Sequence, residues 1–340
     1  MKIDILCGSG STNSVHYSDI FGKNGRIGVG GAELGLLTMC EGWHKKGHHV
    51  TLYNNPRHND GLFEQRAVAS FDKNENRDVL IAFREPTSKI YKSKGMKVFW
   101  SCDQYTIGDF RHFSQFVDKV VTISPFHSSY FSNRYGIGTS ISIDLPVRTW
   151  EYKKVLPKEK NRLIFTSVPD RGLEFLAHMW PKLAYRLPDI SLVITSDYRL
   201  WGSFSPNNDG YVRRFLHTGN VQFLGAVPRE RLVEEQMKAQ VHLYPCSYEE
   251  LFCIACAESQ VAGVLPITTA VGALSTTNSG IIINGKPSEQ NTQEEMINKT
   301  VEYLSKDGLP EIQKSLRENA IERFGIENIM KQWDEKVFNA

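Results

Sequence analysis

Two α/β domains, each a parallel sheet flanked by helices, are what the sequence predicts, and three stretches carry that prediction. Near the start, a strand at residues 3–7, a glycine-bearing loop, a helix and a second strand at 49–53 follow one another. Near Leu163 the pattern starts afresh with the strand LIFTS, the turn VPDRG and a helix. Between Val241 and Gly272 comes strand, polar turn, helix and strand again, VHLYPCSYEELFCIACAESQVAGVLPITTAVG. Short apolar runs alternating with helical patterns are units of a parallel sheet, whose ligands gather beyond the carboxyl ends of the strands.

Length and composition bound this reading. A chain of 340 residues, 41% hydrophobic and 23% charged, is long enough for two ordinary soluble domains. No apolar run reaches the length of a membrane span and MKIDILCGSG lacks a secretory signal layout, so a cytoplasmic chain with no integral membrane segment is expected. Cys7, Cys40, Cys102, Cys246, Cys253 and Cys256 have no disulfide-framework spacing and read as free thiols. Cys253 and Cys256 form a C-x-x-C, but no second pair completes a zinc site, and core-facing small residues are the simpler reading. Residues 1–150 hold 18 lysines and arginines against 14 acidic residues, and the remainder 22 against 24. The excess includes Arg84, Lys89, Lys92, Lys94 and Lys97 and reads as a solvated surface, with an anionic partner as the alternative.

Taken in order, the first strand is followed by about twenty residues rich in Gly, Ser and Asn. Gly28, Gly30 and Gly31 then precede a helix with apolar Leu34, Leu37 and Trp43, closing on Lys45, Lys46 and Gly47. A dinucleotide fingerprint would need its third glycine at Glu33 and a tight turn after the first strand. An NAD-linked oxidoreductase is therefore the lesser alternative. Strands are expected at 79–83, 97–100 and 119–122, and Asp103 falls just past the second of them, on the rim where catalytic bases lie. Ser124 opens a helix, and ISIDLPVRTWEYKKVLPKEKNR reads as a strand running into a charged interdomain linker. The domains are thus expected at 1–150 and from 151 onward.

In the second half, Arg171 sits in the VPDRG turn, well placed for a phosphate. SLVITSD is the next strand, NVQFLGAVPRERLVEEQMKAQ a strand, turn and helix, and the tail an amphipathic helix carrying Ile326, Ile329, Met330 and Trp333 on one side. In SYEELFCIACAE a helix is expected to open near Leu251 or Phe252. Glu250 stands just before it and Glu258 inside it. The amides of Phe252 and Cys253 at that start suit a diphosphate, since open N–H groups and the helix dipole favour an anion. Glu258 lies about 9 Å further along at ~1.5 Å per residue, where its carboxylate can take two ribose hydroxyls. As the plainer alternative, acidic residues near a helix start are ordinary dipole partners. A cleft between two domains that each carry a ligand loop is the expected site. No Asp-x-Asp occurs, which leaves positive side chains and helix amides to neutralise a leaving group without a metal.

With these residues in view the chain resembles the GT-B glycosyltransferases of the retaining family four, nearly end to end. SYEELFCIACAE resembles the family's paired-glutamate motif, with Glu250 and Glu258 as the pair. TSVPDRGLE resembles its phosphate turn, LGAVPRERL the segment lining the base and GVGGAE the glycine loop under the donor. The final helix, 326–340, resembles the one that returns to the first domain, leaving 151–325 as the donor domain. The resemblance implies two Rossmann-like domains facing across a cleft and transfer of a sugar from a nucleotide-diphosphate sugar, with UDP expected. It implies no metal, and the nucleotide sugar serves as co-substrate rather than resident cofactor. Glu258 would bind ribose and Glu250 the transferred sugar; Arg171 with the amides near Phe252 and Cys253 would take the diphosphate. Gly30 and Gly31 would lie against the donor, and Ala226 and Val227 would border the base. Three departures stand out: FTSV lacks the basic residue often found before the phosphate arginine, Ser275 replaces a common glutamate, and Ser101, Cys102 and Asp103 stand where many members have histidine. Asp103 is the substitute catalytic candidate. The acceptor is open among glycan, lipid, protein, small molecule and modified DNA. A non-catalytic nucleotide- or sugar-binding module of the same fold is the alternative.

Overall fold

The structure, a computed structural model, describes residues 1–7, 17–21, 29–56, 58, 61–106, 108–138, 140–154, 156–198, 208–215 and 219–339. It divides into two compact units: Met1–Gly25, Ala32–Pro146 and Ile326–Ala340 form one, and Arg26–Gly31 with Val147–Gly325 the other.

Among the described residues, the first unit contains seven strands: β1 (Lys2–Leu6), β2 (His49–Tyr53), β3 (Glu64–Arg66), β4 (Val79–Phe83), β5 (Met96–Trp100), β6 (Lys119–Thr122) and β7 (Ile141–Ser142). They form one parallel sheet in the order β3-β2-β1-β4-β5-β6-β7. Its helices are α1 (Tyr17–Phe21), α2 (Gly31–Lys45), α3 (Phe110–Ser114), α4 (Pro125–Tyr135) and the C-terminal Ile326–Trp333. Central strands covered on both faces need apolar side chains throughout, which is why β4 reads VLIAF and every residue is buried. Alternate residues of β5 serve opposite faces: Phe99 joins Phe110, Phe113 and Phe131, while Trp100 packs with Trp43 and Trp333. Of the apolar side expected on the last helix, Ile326, Ile329 and Trp333 are buried and Met330 is half-buried. The edge strand β3, EQR, has no apolar signature, and among the described residues it pairs with β2 alone.

The second unit contains β8 (Arg162–Phe165), β9 (Ser191–Ile194), β10 (Val221–Phe223), β11 (Val241–Tyr244), β12 (Leu265–Thr269) and β13 (Ile281–Ile283), all parallel, in the order β10-β9-β8-β11-β12-β13. Its helices are α5 (Leu173–Arg186), α6 (Asn208–Phe215), α7 (Arg229–Lys238), α8 (Ile254–Val261), α9 (Leu274–Thr277), α10 (Gln290–Leu304) and α11 (Leu309–Phe324). Helix α10 packs on α5, and α11 on α8. Leu163, Phe165, Trp180, Leu243 and Ile267 lie in its fully enclosed core. Strand order reverses between β8 and β11, and a crevice opens at such a point outside the carboxyl ends of the strands. The residues that follow these two strands, 166–172 and 245–253, are the ones singled out in the sequence.

Two expectations need correction. The stretch read as a linker is grouped with the second unit from Val147, and its 149–152 turn is packed: Tyr152 is fully buried, its hydroxyl donates to Gln236 (2.6 Å), and Arg317 donates to its carbonyl (2.6 Å). The helix expected to open near Leu251 or Phe252 opens at Ile254. Cys253, at φ 70° and ψ 78°, is left-handed and caps it, so helical backbone cannot run earlier.

Candidate active site

At the rim of the second sheet, Arg171 lies in a 3₁₀ turn, Pro169–Arg171, between β8 and α5. Its Nη1 donates to Glu250 Oε2 (2.5 Å), and its guanidinium lies 4.2 Å from the centre of the Tyr248 ring. The Tyr244 hydroxyl, at the end of β11, donates to Glu250 Oε1 (2.7 Å) and lies 3.1 Å from Ser167 Oγ. Burial works against the Arg171 charge, but the Glu250 carboxylate and the Tyr244 side chain outweigh it and raise the guanidinium pKa. Glu250 is 4% exposed, so this is a desolvated ion pair rather than a surface one. A guanidinium carries five donors in a fork and can hold a carboxylate and an anion together.

Backbone contacts fix both members of the pair. Gly172 has φ 122°, and a Cβ there would lie 2.3 Å from the Pro245 carbonyl oxygen; this places the Arg171 turn directly on the end of β11. Gly272 has φ 58°, and a Cβ would meet Glu250 O at 2.4 Å, while Ala273 N donates to that oxygen (2.7 Å). Only glycine combines such dihedrals with such closeness.

Glu258, inside α8, is 3% exposed and pairs with Arg229 (Nη2 to Oε1, 2.5 Å). Arg229 opens α7, two residues past Val227, so the Ala226–Val227 loop and Glu258 are tied through it. Ala226 N donates to Asp197 Oδ2 (3.3 Å), a buried carboxylate beyond β9. Thr195 Oγ1 and Ser196 Oγ, each in a residue 3% exposed, are buried there without a hydrogen-bond partner. Unsatisfied buried groups on a sheet rim are what a polar ligand would complete.

The helix opens at Ile254, so Phe252 and Cys253 stand directly before its first turn. Phe252 and Cys253 are core side chains before the helix, Phe252 edge-on to Phe324 with ring centres 5.7 Å apart. Cys256 N and Ala257 N donate to Cys253 O. Ile254 and Ala255 then carry the first-turn amides that a helix leaves open. Gly31, grouped with the second unit, stands against this point: a Cβ on it would lie 2.6 Å from Ile254 Cγ2. Gly30 precedes it half-buried, and Gly28 lies outside the described residues. All six cysteines are buried free thiols.

At the far end of α8, Arg317 donates to Val261 O (2.8 Å) and Lys158 Nζ to Ala262 O (2.8 Å). Burial, and then the Arg317 charge, push the Lys158 pKa from 10.5 down to about 7. The unfolded chain therefore binds this proton over a window in which the folded one does not. The group's contribution is fully present above the unfolded value and is lost as pH falls through the folded one. Lys158→Met should be more stable than the parent at pH 7, with the difference closing toward pH 10.5. Thermal denaturation across that range checks it, and a pH-independent difference would refute it.

Asp103 lies in the first unit, in a separate cluster. Its carboxylate takes Arg84 Nε (2.7 Å) and Nη2 (2.6 Å), and Arg84 Nη1 also pairs with Glu33. Arg84 is thus not the solvated surface charge expected, because two carboxylates hold it inward. A histidine does stand beside Asp103: His127, fully buried, with Nε2 3.1 Å from Asp103 O and Nδ1 accepting from Ile123 N (3.3 Å). Burial lowers its pKa to about 4, which fits a neutral structural ring.

Sequence reasoning passed over Arg229 and Tyr244. Arg229 had a signal, since a cation in the first turn of a helix opposes the dipole and asks for a partner. Among the described residues, no group of three or more His, Cys, Asp or Glu side chains is arranged to hold a metal, and no helix is long and apolar enough to cross a membrane.

The family model for glycosyl transferases group 1 matches residues 148–323, just over half of the chain. The chain belongs to that family. No curated protein matches this group 1 glycosyltransferase in sequence. Among solved structures, a glycosyltransferase from Rickettsia africae ESF-5 is similar over 99% of this chain and 97% of its own, with TM-score 0.77 and 16% identity. Sucrose-phosphate synthase from Thermosynechococcus elongatus matches over 99% of both chains, with TM-score 0.72 and 15% identity. Anabaena Alr3699/HepE, solved in complex with UDP-glucose, matches over 100% of both, with TM-score 0.71 and 15% identity. At such identities these likenesses give the fold, which is GT-B.

Proposed function

We propose that this glycosyltransferase moves a hexosyl group from a UDP-sugar to its acceptor with retention of configuration and without a metal. The observation that carries the reading is the placing of the Arg171–Glu250 pair at the β8/β11 reversal, with Glu258 further along the helix that follows Glu250. In this reading Arg171 and the amides near Phe252 and Cys253, with those of Ile254 and Ala255, take the diphosphate, Glu250 the transferred sugar and Glu258 the ribose. Ala226 and Val227 border the base, with Thr195 and Ser196 hydroxyls in reach of polar groups there. Gly30 and Gly31 lie under the donor, and Asp103 is kept for the acceptor side. The UDP complex of Alr3699/HepE supports the choice of base. The missing Asp-x-Asp and the presence of Arg171 support metal independence, and six free cysteines fit a reducing cytosol.

Purified protein should consume UDP-sugars in preference to GDP- and ADP-sugars, at a rate that EDTA leaves unchanged. Loss of turnover on chelation, restored by manganese or magnesium, would overturn the metal-free reading. Preference for another base would overturn the donor.

A further inference from the structure

Glu258 is held in a closed ring of side chains. Arg229 Nη2 meets its Oε1 (2.5 Å), and Gln236 Nε2 donates to its Oε2 (3.4 Å). Gln236 Oε1 accepts from the Tyr152 hydroxyl (2.6 Å), and that hydroxyl accepts from Arg229 Nη2 (3.3 Å). The ring is tethered from behind: Arg229 Nε donates to Glu151 Oε2 (2.7 Å), and Glu151 Oε1 accepts from Arg148 Nε (2.6 Å). Glu258, Gln236 and Tyr152 are 3%, 0% and 0% exposed, and the Arg229 side chain 11%.

A buried carboxylate without a cation protonates or turns away, and in either case it ceases to be a double acceptor. An ionised carboxylate offers about four lone-pair sites, so one contact from Arg229 and one from Gln236 leave capacity for a diol. An arginine fork can grip two carboxylates at fixed angles, which a lysine cannot. The ring residues lie on three separate segments, the 149–152 turn, α7 and α8, so the arrangement is not a by-product of one helix.

We infer that Arg229 is a positioning residue for nucleotide recognition: braced by Glu151, it sets the rotamer of Glu258 so that the carboxylate accepts both ribose hydroxyls. The inference rests on the reading of Glu258 as the ribose ligand, and its test separates the two. Titration calorimetry with UDP and with 2′,3′-dideoxy-UDP measures the ribose preference directly. The parent should prefer UDP by about 10-fold or more, the scale of charge-assisted hydrogen bonds. Glu258→Ala should erase the preference. Arg229→Met should also lose most of it while binding dideoxy-UDP about as well as the parent does. Arg229→Lys, which keeps the charge but not the fork, should retain only part of the preference and carries the test if the methionine variant does not fold. An intact preference in the Arg229 variants with Glu258→Ala lacking it would overturn the inference and leave the ribose reading standing. Equal weakening of both ligands in the Arg229 variants would overturn it too, as a purely structural role. A preference that survives Glu258→Ala would overturn the ribose reading itself.

Discussion

Arg171→Ala should lower kcat by about 10²–10³ while changing the donor KM far less. In the proposed reaction, cleavage of the glycosidic bond builds charge on the departing diphosphate, and a preorganised donor in a desolvated site is worth about 2.7–4 kcal/mol in the barrier. Arg171 is held in place by the Glu250 carboxylate, the Tyr248 ring and the turn at Gly172. The same substitution leaves Glu250, 4% exposed, without its cation, so a lower melting temperature should accompany the loss. Arg171→Lys, retaining charge without the fork, should lie between the two. Steady-state kinetics on variants with native near-ultraviolet dichroism separate the effects. A loss expressed wholly in KM would mean that Arg171 binds ground and transition states equally, against the role given to it.

Gly172→Ala should be among the most damaging single-methyl additions in the second unit. Its Cβ would lie 2.3 Å from a backbone oxygen, at φ 122°, where an L-residue is strained whatever the space. Strain and overpacking, at about 1–3 kcal/mol each, together cost about 4 kcal/mol. At roughly 2–4 °C per kcal/mol, the melting temperature should fall by about 10 °C. Since the clash pushes the Arg171 turn off the end of β11, activity should fall even in the folded fraction. Scanning calorimetry beside the transfer assay reads both, and a melting temperature within about 2 °C of the parent would show that the turn does not sit on Pro245.

Much of this architecture was readable because its causes are local. Doubly covered strands such as VLIAF must be apolar throughout, and SYEELFCIACAE keeps its two glutamates eight residues apart around a helix start. The unreadable parts depend on packing between distant segments. Nothing in the letters at Cys253 marks a left-handed backbone, because that conformation is imposed by its surroundings; hence the expected helix start fell two or three residues early. The edge strand β3, EQR, carries no apolar pattern. Arg84 read as a surface charge because its partners, Glu33 and Asp103, lie 51 and 19 residues away in sequence. The ring around Glu258 was hidden for the same reason: Tyr152, Arg229 and Gln236 converge only in the folded chain.

The central claim is that the second-unit rim drives front-side departure of a nucleoside diphosphate. Glu250 is the one carboxylate assigned to the sugar, and it is engaged by Arg171 and Tyr244 rather than free to act as a nucleophile. The most direct measurement is proton NMR during turnover of an α-linked UDP-sugar, with water as acceptor where no other is supplied. The account predicts that the released sugar, or the new linkage, appears first in the α configuration, before mutarotation mixes the anomers. First appearance of the β form would contradict it.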